Sequence, residues 1–168
     1  AYALFAWPMH EMTALTVDLR DLVGPAASEL AEACNDAPSI PACLRAALGW
    51  IERRLTRASG PDPSIGWMLT EIEGRRGVVS IGALRERTGF SKSRLAVTFQ
   101  EQVGVSAKHY ARLVRFRRVL TALHSDAHPL LAQVAIDAGY YDQPHMNAEF
   151  RGLGGMTPVE YLTSRRYP

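Results

Sequence analysis

A two-helix pattern occurs twice in this chain of 168 residues, and the repetition restricts the possible folds more than any other feature. In the second copy, apolar residues from Leu131 to Ala138 recur at the spacing of one buried helical face. Gly139 then supplies the backbone freedom that ends a helix, and Asp142 is placed to cap the next one. The pattern therefore predicts a helix, a short turn and a second helix.

The first copy has the same order of signals about 50 residues earlier. Residues 81–88 form the first predicted helix, Gly89 the turn, and Ser91 the cap of the second helix. Gly89 and Gly139 are 50 residues apart, whereas equivalent residues after the turn are 51 apart, which indicates one inserted residue in the second turn. The pairs at the larger offset are Leu95 with Met146, Phe99 with Phe150, Gly104 with Gly155, Ser106 with Thr157 and Tyr110 with Tyr161.

The duplication predicts an all-α fold: two helix-turn-helix units joined by a long spacer helix, with additional N-terminal helices. The spacer covers roughly residues 107–123. In a helix-turn-helix unit the second helix is the one that enters the DNA major groove, so residues 91–102 and 142–153 are the predicted recognition helices.

The distribution of charge agrees with a nucleic-acid partner. The net charge is only +2, but residues 1–74 carry 5 basic against 10 acidic side chains, and residues 75–168 carry 14 basic against 7 acidic. A polyanion prefers the second part, because Lys and Arg displace counterions from phosphates. A solvated basic surface explains the charge alone equally well.

Residues 76–165 resemble the tandem helix-turn-helix domain of the AraC/XylS transcription regulators. The resemblance implies double-stranded DNA as the partner and transcription regulation, most often activation, as the function; RNA polymerase and a second subunit are further possible partners. In this family a ligand-sensing domain commonly precedes the DNA-binding domain. The resemblance therefore also implies that any effector would bind such an N-terminal domain, which is missing from this sequence. Pro144 and Met146 stand where polar and aromatic residues are more usual. The residues that carry the resemblance are Ala135, Gly139, Tyr140, Asp142, Gln143, Phe150, Gly155, Thr157, Pro158 and Tyr161.

Candidate DNA contacts follow from the helical faces. Side chains opposite the buried stripes are candidates for base readout, and basic side chains beside them are candidates for phosphate contact. Gln143 and Asn147 are the sharper base readers, because an amide can bond an adenine edge with two hydrogen bonds. The base-readout set is Ser93, Ala96, Val97, Gln143, Pro144, Asn147 and Ala148. The phosphate set is Lys92, Arg94, Arg112, Arg115, His145 and Arg151.

The N-terminal part is predicted to be separate, with residues 1–60 forming the tail of a preceding, possibly sensor, domain plus a helical linker, and residues 61–168 the DNA-binding domain. Alternation around residues 15–19 suits a short strand or an extended tail. A helix over residues 40–57 carries an apolar stripe, which is either core or a seam for a partner helix. The alternative function is therefore a helical protein-interaction or dimerisation module. The stripe consists of Leu44, Leu48, Ile51 and Leu55.

Other functional classes have little support in the sequence. Cys34 and Cys43 are the two cysteines, and with no nearby partner pair they are expected to be ordinary thiols rather than zinc ligands. We find no set of nucleophile, base and orienting group, so no catalytic residues, metal or cofactor are predicted and the chain is not expected to be an enzyme. The lack of a run of about 18 apolar residues or a leader-like start predicts a soluble, cytoplasmic protein without membrane contact.

Overall fold

The computed structural model describes residues 2–5, 7–12, 15–57, 60, 62–126 and 128–166. Within those ranges every regular element is helical, which confirms the all-α prediction. None of the helices described is both long and apolar enough to cross a membrane. In chain order the elements are α1 (Tyr2–Phe5), a 3-10 helix (Met9–Met12), α2 (Leu19–Val23), α3 (Pro25–Asn35), α4 (Ile40–Arg57), α5 (Pro63–Gly74), α6 (Ile81–Thr88), α7 (Lys92–Val103), α8 (Ala107–Ser125), α9 (Leu131–Asp137), α10 (Gln143–Gly154) and α11 (Pro158–Arg166).

The chain divides into two compact units, which we describe separately. The first unit contains residues 1–66 and 91–106, and the second contains residues 67–90 and 107–168. The predicted domain boundary at residue 60 stays a prediction.

The strand considered for residues 15–19 is wrong. Residues 15–18 have no regular structure, and α2 begins at Leu19. The physical reason is a local cap, since the Asp18 carboxylate accepts a hydrogen bond from the backbone N–H of Arg20 at 2.8 Å. The alternative of an extended tail stays a prediction.

In the first unit, α4 packs on α3 through Trp50 rather than through its leucines. Trp50 is buried, and its indole N–H donates to the carbonyl oxygen of Ala26 at 3.0 Å. The Arg54 guanidinium lies over the Trp50 ring and donates to the carbonyl oxygen of Leu4 at 3.0 Å.

The leucine stripe of α4 consequently lies at the surface. Leu44, Leu48 and Leu55 remain 58%, 59% and 47% exposed. The interpretation of this stripe as core is wrong, because the inward face of α4 is centred on Trp50, about 140° around the helix from the leucines. The partner-seam alternative stays a prediction.

In the second unit, α8, α9, α10 and α11 contribute to an apolar core. The rings of Phe116 and Phe150 lie 4.7 Å apart, and Tyr161 packs on Phe150 at 6.0 Å. This core fixes the inward face of α10 and therefore decides which of its residues reach the surface. The buried members are Val119, Leu123, Val134, Ala135, Ala138, Tyr140, Met146 and Phe150.

Candidate nucleic-acid interface

The turn between α9 and α10 depends on Gly139. Its φ of 87° lies in the left-handed region that side chains disfavour, and an added Cβ would collide with Cγ2 of Val78. The next N–H, that of Tyr140, donates to the carbonyl oxygen of Ala135 at 2.9 Å, which satisfies an end of α9. The turn thereby places α10 directly after α9 while backbone groups at the end of α9 are hydrogen-bonded.

Both ends of α10 are defined by local chemistry. The Asp142 carboxylate accepts from the backbone N–H of His145 at 2.7 Å, which confirms the predicted cap. Gly155 ends the helix with a φ of 76°, and its N–H donates to the carbonyl oxygen of Arg151 at 2.9 Å. Thr157 and Glu160 then start α11 with a reciprocal capping box, whose bonds measure 2.6 and 3.3 Å. The Thr157 N–H holds the pKa of Glu160 below its usual range.

The outer face of α10 is made of small residues with amides at one flank. Pro144, Ala148 and Gly152 are exposed and follow one another at intervals of four residues. Gln143 and Asn147 are half-buried beside them. Small side chains let a helix backbone approach another surface closely, while the flanking amides supply hydrogen-bonding groups.

Asn147 is the more constrained of the two amides. Its Oδ1 is buried, and it has no hydrogen-bond partner among the residues that the structure describes. In this conformation the Oδ1 end of the amide is therefore not accessible to a base. An adenine contact with two hydrogen bonds requires the side chain to rotate outward.

Two of the arginines predicted to contact phosphates are paired inside the second unit. Arg112 Nε donates to Glu149 Oε1 at 3.1 Å, and the Arg115 guanidinium reaches both oxygens of Glu149 at 3.1 Å. Arg115 also donates to the carbonyl oxygen of Gly77 at 2.9 Å and lies 5.3 Å from the centre of the Tyr140 ring. These contacts attach α10 to α8, and they favour a structural role for Arg115; contact of either arginine with phosphate stays a prediction.

The basic residues of α10, in contrast to Arg112 and Arg115 of α8, are at the surface. His145 is exposed, lies edge-on to the Tyr140 ring at 5.4 Å and has Nε2 3.9 Å from Glu149 Oε1. Arg151 is exposed and lies 3.7 Å from Glu160. An exposed pair of this kind is weak and can exchange its carboxylate for a phosphate.

Burial affects the chemistry of Tyr140 beneath these residues. Desolvation, together with the charge of Glu149, raises the pKa of Tyr140 to about 12. Tyr140 is therefore neutral at physiological pH and acts as a packing platform for Arg115 and His145.

In the first unit, α7 presents a different outer face. The Ser91 hydroxyl accepts from the N–H of Arg94 at 3.1 Å, which confirms the cap, and Leu95 and Phe99 are buried. Arg94 also approaches a carboxylate oxygen of Asp62 at 4.0 Å. The predicted contact residues of this helix are all exposed: Lys92, Ser93, Arg94, Ala96 and Val97.

Sequence reasoning missed Gln100 on the same helix. Gln100 is exposed and lies three residues beyond Val97 and seven beyond Ser93, so it belongs to the outer face of α7. The signal was available in the helical spacing. Gln100 adds the amide that the predicted set for this helix lacked.

Comparison with known proteins agrees with this geometry. A family model described as a helix-turn-helix domain, of the AraC type, matches residues 84–164. No curated protein and no solved structure matches the chain. The matched residues run from the middle of α6 into α11 and contain α7, α8, α9 and α10. Residues 84–164 therefore form a helix-turn-helix domain of the AraC type, and the chain is a DNA-binding transcription regulator.

Proposed function

We propose that the protein binds double-stranded DNA at specific sequences by inserting α7 and α10 into successive major grooves, and that it activates transcription there. The observation that carries this proposal is the outer face of α10, where small exposed residues lie beside the amides of Gln143 and Asn147 and the exposed basic side chains of His145 and Arg151. RNA polymerase and a second subunit are the protein partners we propose, in the cytoplasm.

Base readout is assigned to the surface side chains of both helices. In α10 we assign the main hydrogen-bonded contacts to Gln143 and Asn147, with Pro144 and Ala148 in close contact with thymine methyl groups. In α7 we assign polar contacts to Ser93 and add Gln100 to them. Ala96 and Val97 supply further apolar contacts on that helix.

We assign phosphate contact mainly to the exposed basic residues. The arginines that are paired with Glu149 are assigned a lesser part in it. Lys92, Arg94 and His145 are exposed and flank the two outer faces, and the exposed Arg151 lies on the outer face of α10 itself. Arg112 is one-third exposed and would have to share its charge between Glu149 and a phosphate. Such contacts fix the position of the protein on the duplex without reading sequence.

Selection of bound duplexes from a random DNA pool tests the proposal. We expect a defined operator, and then a relaxed preference in one part of it for Gln143→Ala and Asn147→Ala. A lost amide contact costs about 1–3 kcal/mol of discrimination at the base concerned. Gln133→Ala is the matched control, because Gln133 is an exposed amide of α9 that bonds Asp137 at 2.9 Å.

Salt dependence separates the phosphate contacts from the base contacts. Lys92→Ala should weaken binding to all sequences alike and reduce the salt slope of binding by about 0.9. Binding that shows neither sequence selection nor salt sensitivity would contradict the proposal and leave a protein-interaction module as the function.

A further inference from the structure

The two cysteines of the chain are brought together where α3 meets α4. Cys34 lies at the end of α3, Cys43 lies in the first turn of α4, and a short loop joins the two helices. The Cys34 thiol donates to the carbonyl oxygen of Cys43 at 3.9 Å. The sequence contains no other cysteine, so no further thiol of the chain competes for either of them. We propose that Cys34 and Cys43 are a redox-active pair, which forms a reversible internal disulfide by exchange with low-molecular-weight disulfides.

The packing of α3 on α4 keeps the two thiols close. Away from the loop, the indole N–H of Trp50 fixes α4 on α3 by its bond to the carbonyl oxygen of Ala26. At the loop, the backbone N–H of Cys43 donates to the carbonyl oxygen of Ser39 at 3.0 Å and closes the first turn of α4. Hydrogen bonding to the Cys43 side chain, followed by burial, raises the pKa of Cys34 above its ordinary value. The two side chains therefore interact in the folded chain, and a disulfide requires this proximity because it joins Cβ atoms only about 4 Å apart.

A small reagent can reach Cys34 from the surface. Both cysteines are half-buried rather than enclosed in the core. Cys34 lines a surface depression of about 360 Å³, which α2 and α3 form together. Because access is one of the factors that set the rate of thiol–disulfide exchange, we assign the first attack to Cys34. The other lining residues are Asp18, Leu19, Arg20, Ala27, Leu30 and Ala31.

The exchange takes place in two steps. The thiolate of Cys34 attacks one sulfur of the small disulfide, so that a mixed disulfide forms at Cys34 and a small thiolate leaves. The thiolate of Cys43 then attacks the Cys34 sulfur, which forms the internal bond and releases the second small thiolate. The two cysteines lose two electrons and two protons in all, and the small disulfide gains both to become two thiols.

The internal bond changes the first unit and goes beyond DNA binding. It closes the loop between residues 34 and 43 and so restricts the unfolded chain, which stabilises the folded one. In a cytoplasm that keeps thiols reduced, a disulfide is usually transient and redox-sensing. The test needs no DNA, so failure of this inference and failure of the proposed function are distinguishable.

Oxidised glutathione is the probe for the 168-residue chain. After incubation and alkylation of any remaining thiols, both cysteines should be unmodified by the alkylating reagent. The tryptic peptide 21–45 contains both of them, and it should be about 2 Da lighter than the reduced peptide, because two hydrogens are lost. The midpoint of thermal unfolding should rise by about 5 °C or more relative to the reduced protein. The double variant C34S/C43S is the matched control, and oxidised glutathione should leave its midpoint unchanged.

Single variants test the order of the two steps. Cys43→Ser should stop at the mixed disulfide, so that the tryptic peptide 21–45 gains one glutathione. Cys34→Ser should gain glutathione at least about fivefold more slowly, because Cys43 does not line the depression. Circular dichroism should show unchanged helix content in both variants, since serine is close to cysteine in size.

Four results would overturn the proposal. Two free thiols after equilibration with oxidised glutathione reject the pair as redox-active. A covalent dimer on a non-reducing gel rejects the internal bond, because the thiols then reach another chain more readily than each other. An internal bond that does not raise the unfolding midpoint rejects its fit to the native packing of α3 on α4. Equal rates for the two single variants reject Cys34 as the first nucleophile.

Discussion

Substitution of Glu149 by alanine should destabilise the second unit far more than its place on a surface helix suggests. The Glu149 side chain is 15% exposed and accepts from Arg112 Nε and from the Arg115 guanidinium, with each distance at 3.1 Å. Arg115 itself is only 16% exposed. Removal of the carboxylate leaves a largely buried guanidinium whose remaining partners are the carbonyl oxygen of Gly77 and the Tyr140 ring.

The size of this destabilisation depends on how far Glu149, Arg112 and Arg115 are shielded from solvent. Breaking a buried ion pair by removing one partner costs about 3–5 kcal/mol, because it leaves an uncompensated charge. Arg112 is 33% exposed, so water can replace part of what it loses. We therefore expect Glu149→Ala to lower the free energy of unfolding by about 2–3 kcal/mol, which lies between the buried limit and the value below about 1 kcal/mol of exposed pairs.

Urea denaturation followed by circular dichroism measures the effect. Glu86→Ala is the matched control, because Glu86 is a well-exposed glutamate 3.8 Å from Arg85, and we expect it to cost less than about 0.5 kcal/mol. A double-mutant cycle with Arg112→Ala should return a coupling energy of about 1 kcal/mol or more. A loss for Glu149→Ala no larger than that of the control would refute the reasoning, and so would a loss abolished by 0.5 M salt, which screens exposed pairs and largely spares buried ones.

Three further predictions concern the turn, the cap and two tyrosines of the second unit. Gly139→Ala should destabilise the unit by more than about 1 kcal/mol in thermal unfolding, since the left-handed φ of 87° and the collision with Val78 both oppose a Cβ. Asp142→Ala should cost about 1 kcal/mol, whereas Asp142→Asn should cost only a fraction of that, because the amide oxygen still caps α10. The pKa values of Tyr110 and Tyr140 are raised from 10 to about 12, chiefly by burial, so their contribution to stability is complete below pH 10 and lost as the pH rises through 12. Unfolding measured across that range should show this fall, and Tyr140→Phe should reduce it.

The sequence was sufficient to predict the helix caps and helix ends, because these depend on residues only a few positions apart. The caps Ser91 and Asp142 and the chain breaks at Gly89 and Gly139 act through neighbouring backbone groups, so residue type and order were enough to place α7 and α10 within one residue. The same reasoning explains the correct bounds of α4, where Ser39 and the helical spacing of apolar residues were sufficient.

The sequence failed where the outcome depends on residues far along the chain. Arg115 looked like any basic residue of a surface helix until packing placed Glu149 beside it, 34 positions away. The α4 leucines looked like core because their spacing is right, but Trp50 occupies the inward face through its bond to Ala26, 24 positions away. Periodicity identifies an apolar face and cannot say what covers it.

The two copies of the helix-turn-helix pattern agree on the inside and differ on the outside, and this difference bears on what they read. The buried positions match in kind, with Leu95 and Phe99 in α7 and Met146 and Phe150 in α10. The outer faces do not match. In α7 the face carries Ser93, Ala96 and Val97, whereas at the equivalent positions α10 carries Pro144, Asn147 and Ala148. Because base edges are distinguished by the donors, acceptors and methyl groups presented to them, two such faces cannot prefer the same bases. We therefore expect the two halves of the operator to differ in sequence, and a selected site with two identical halves in the same orientation would contradict the assignment of these faces to base readout.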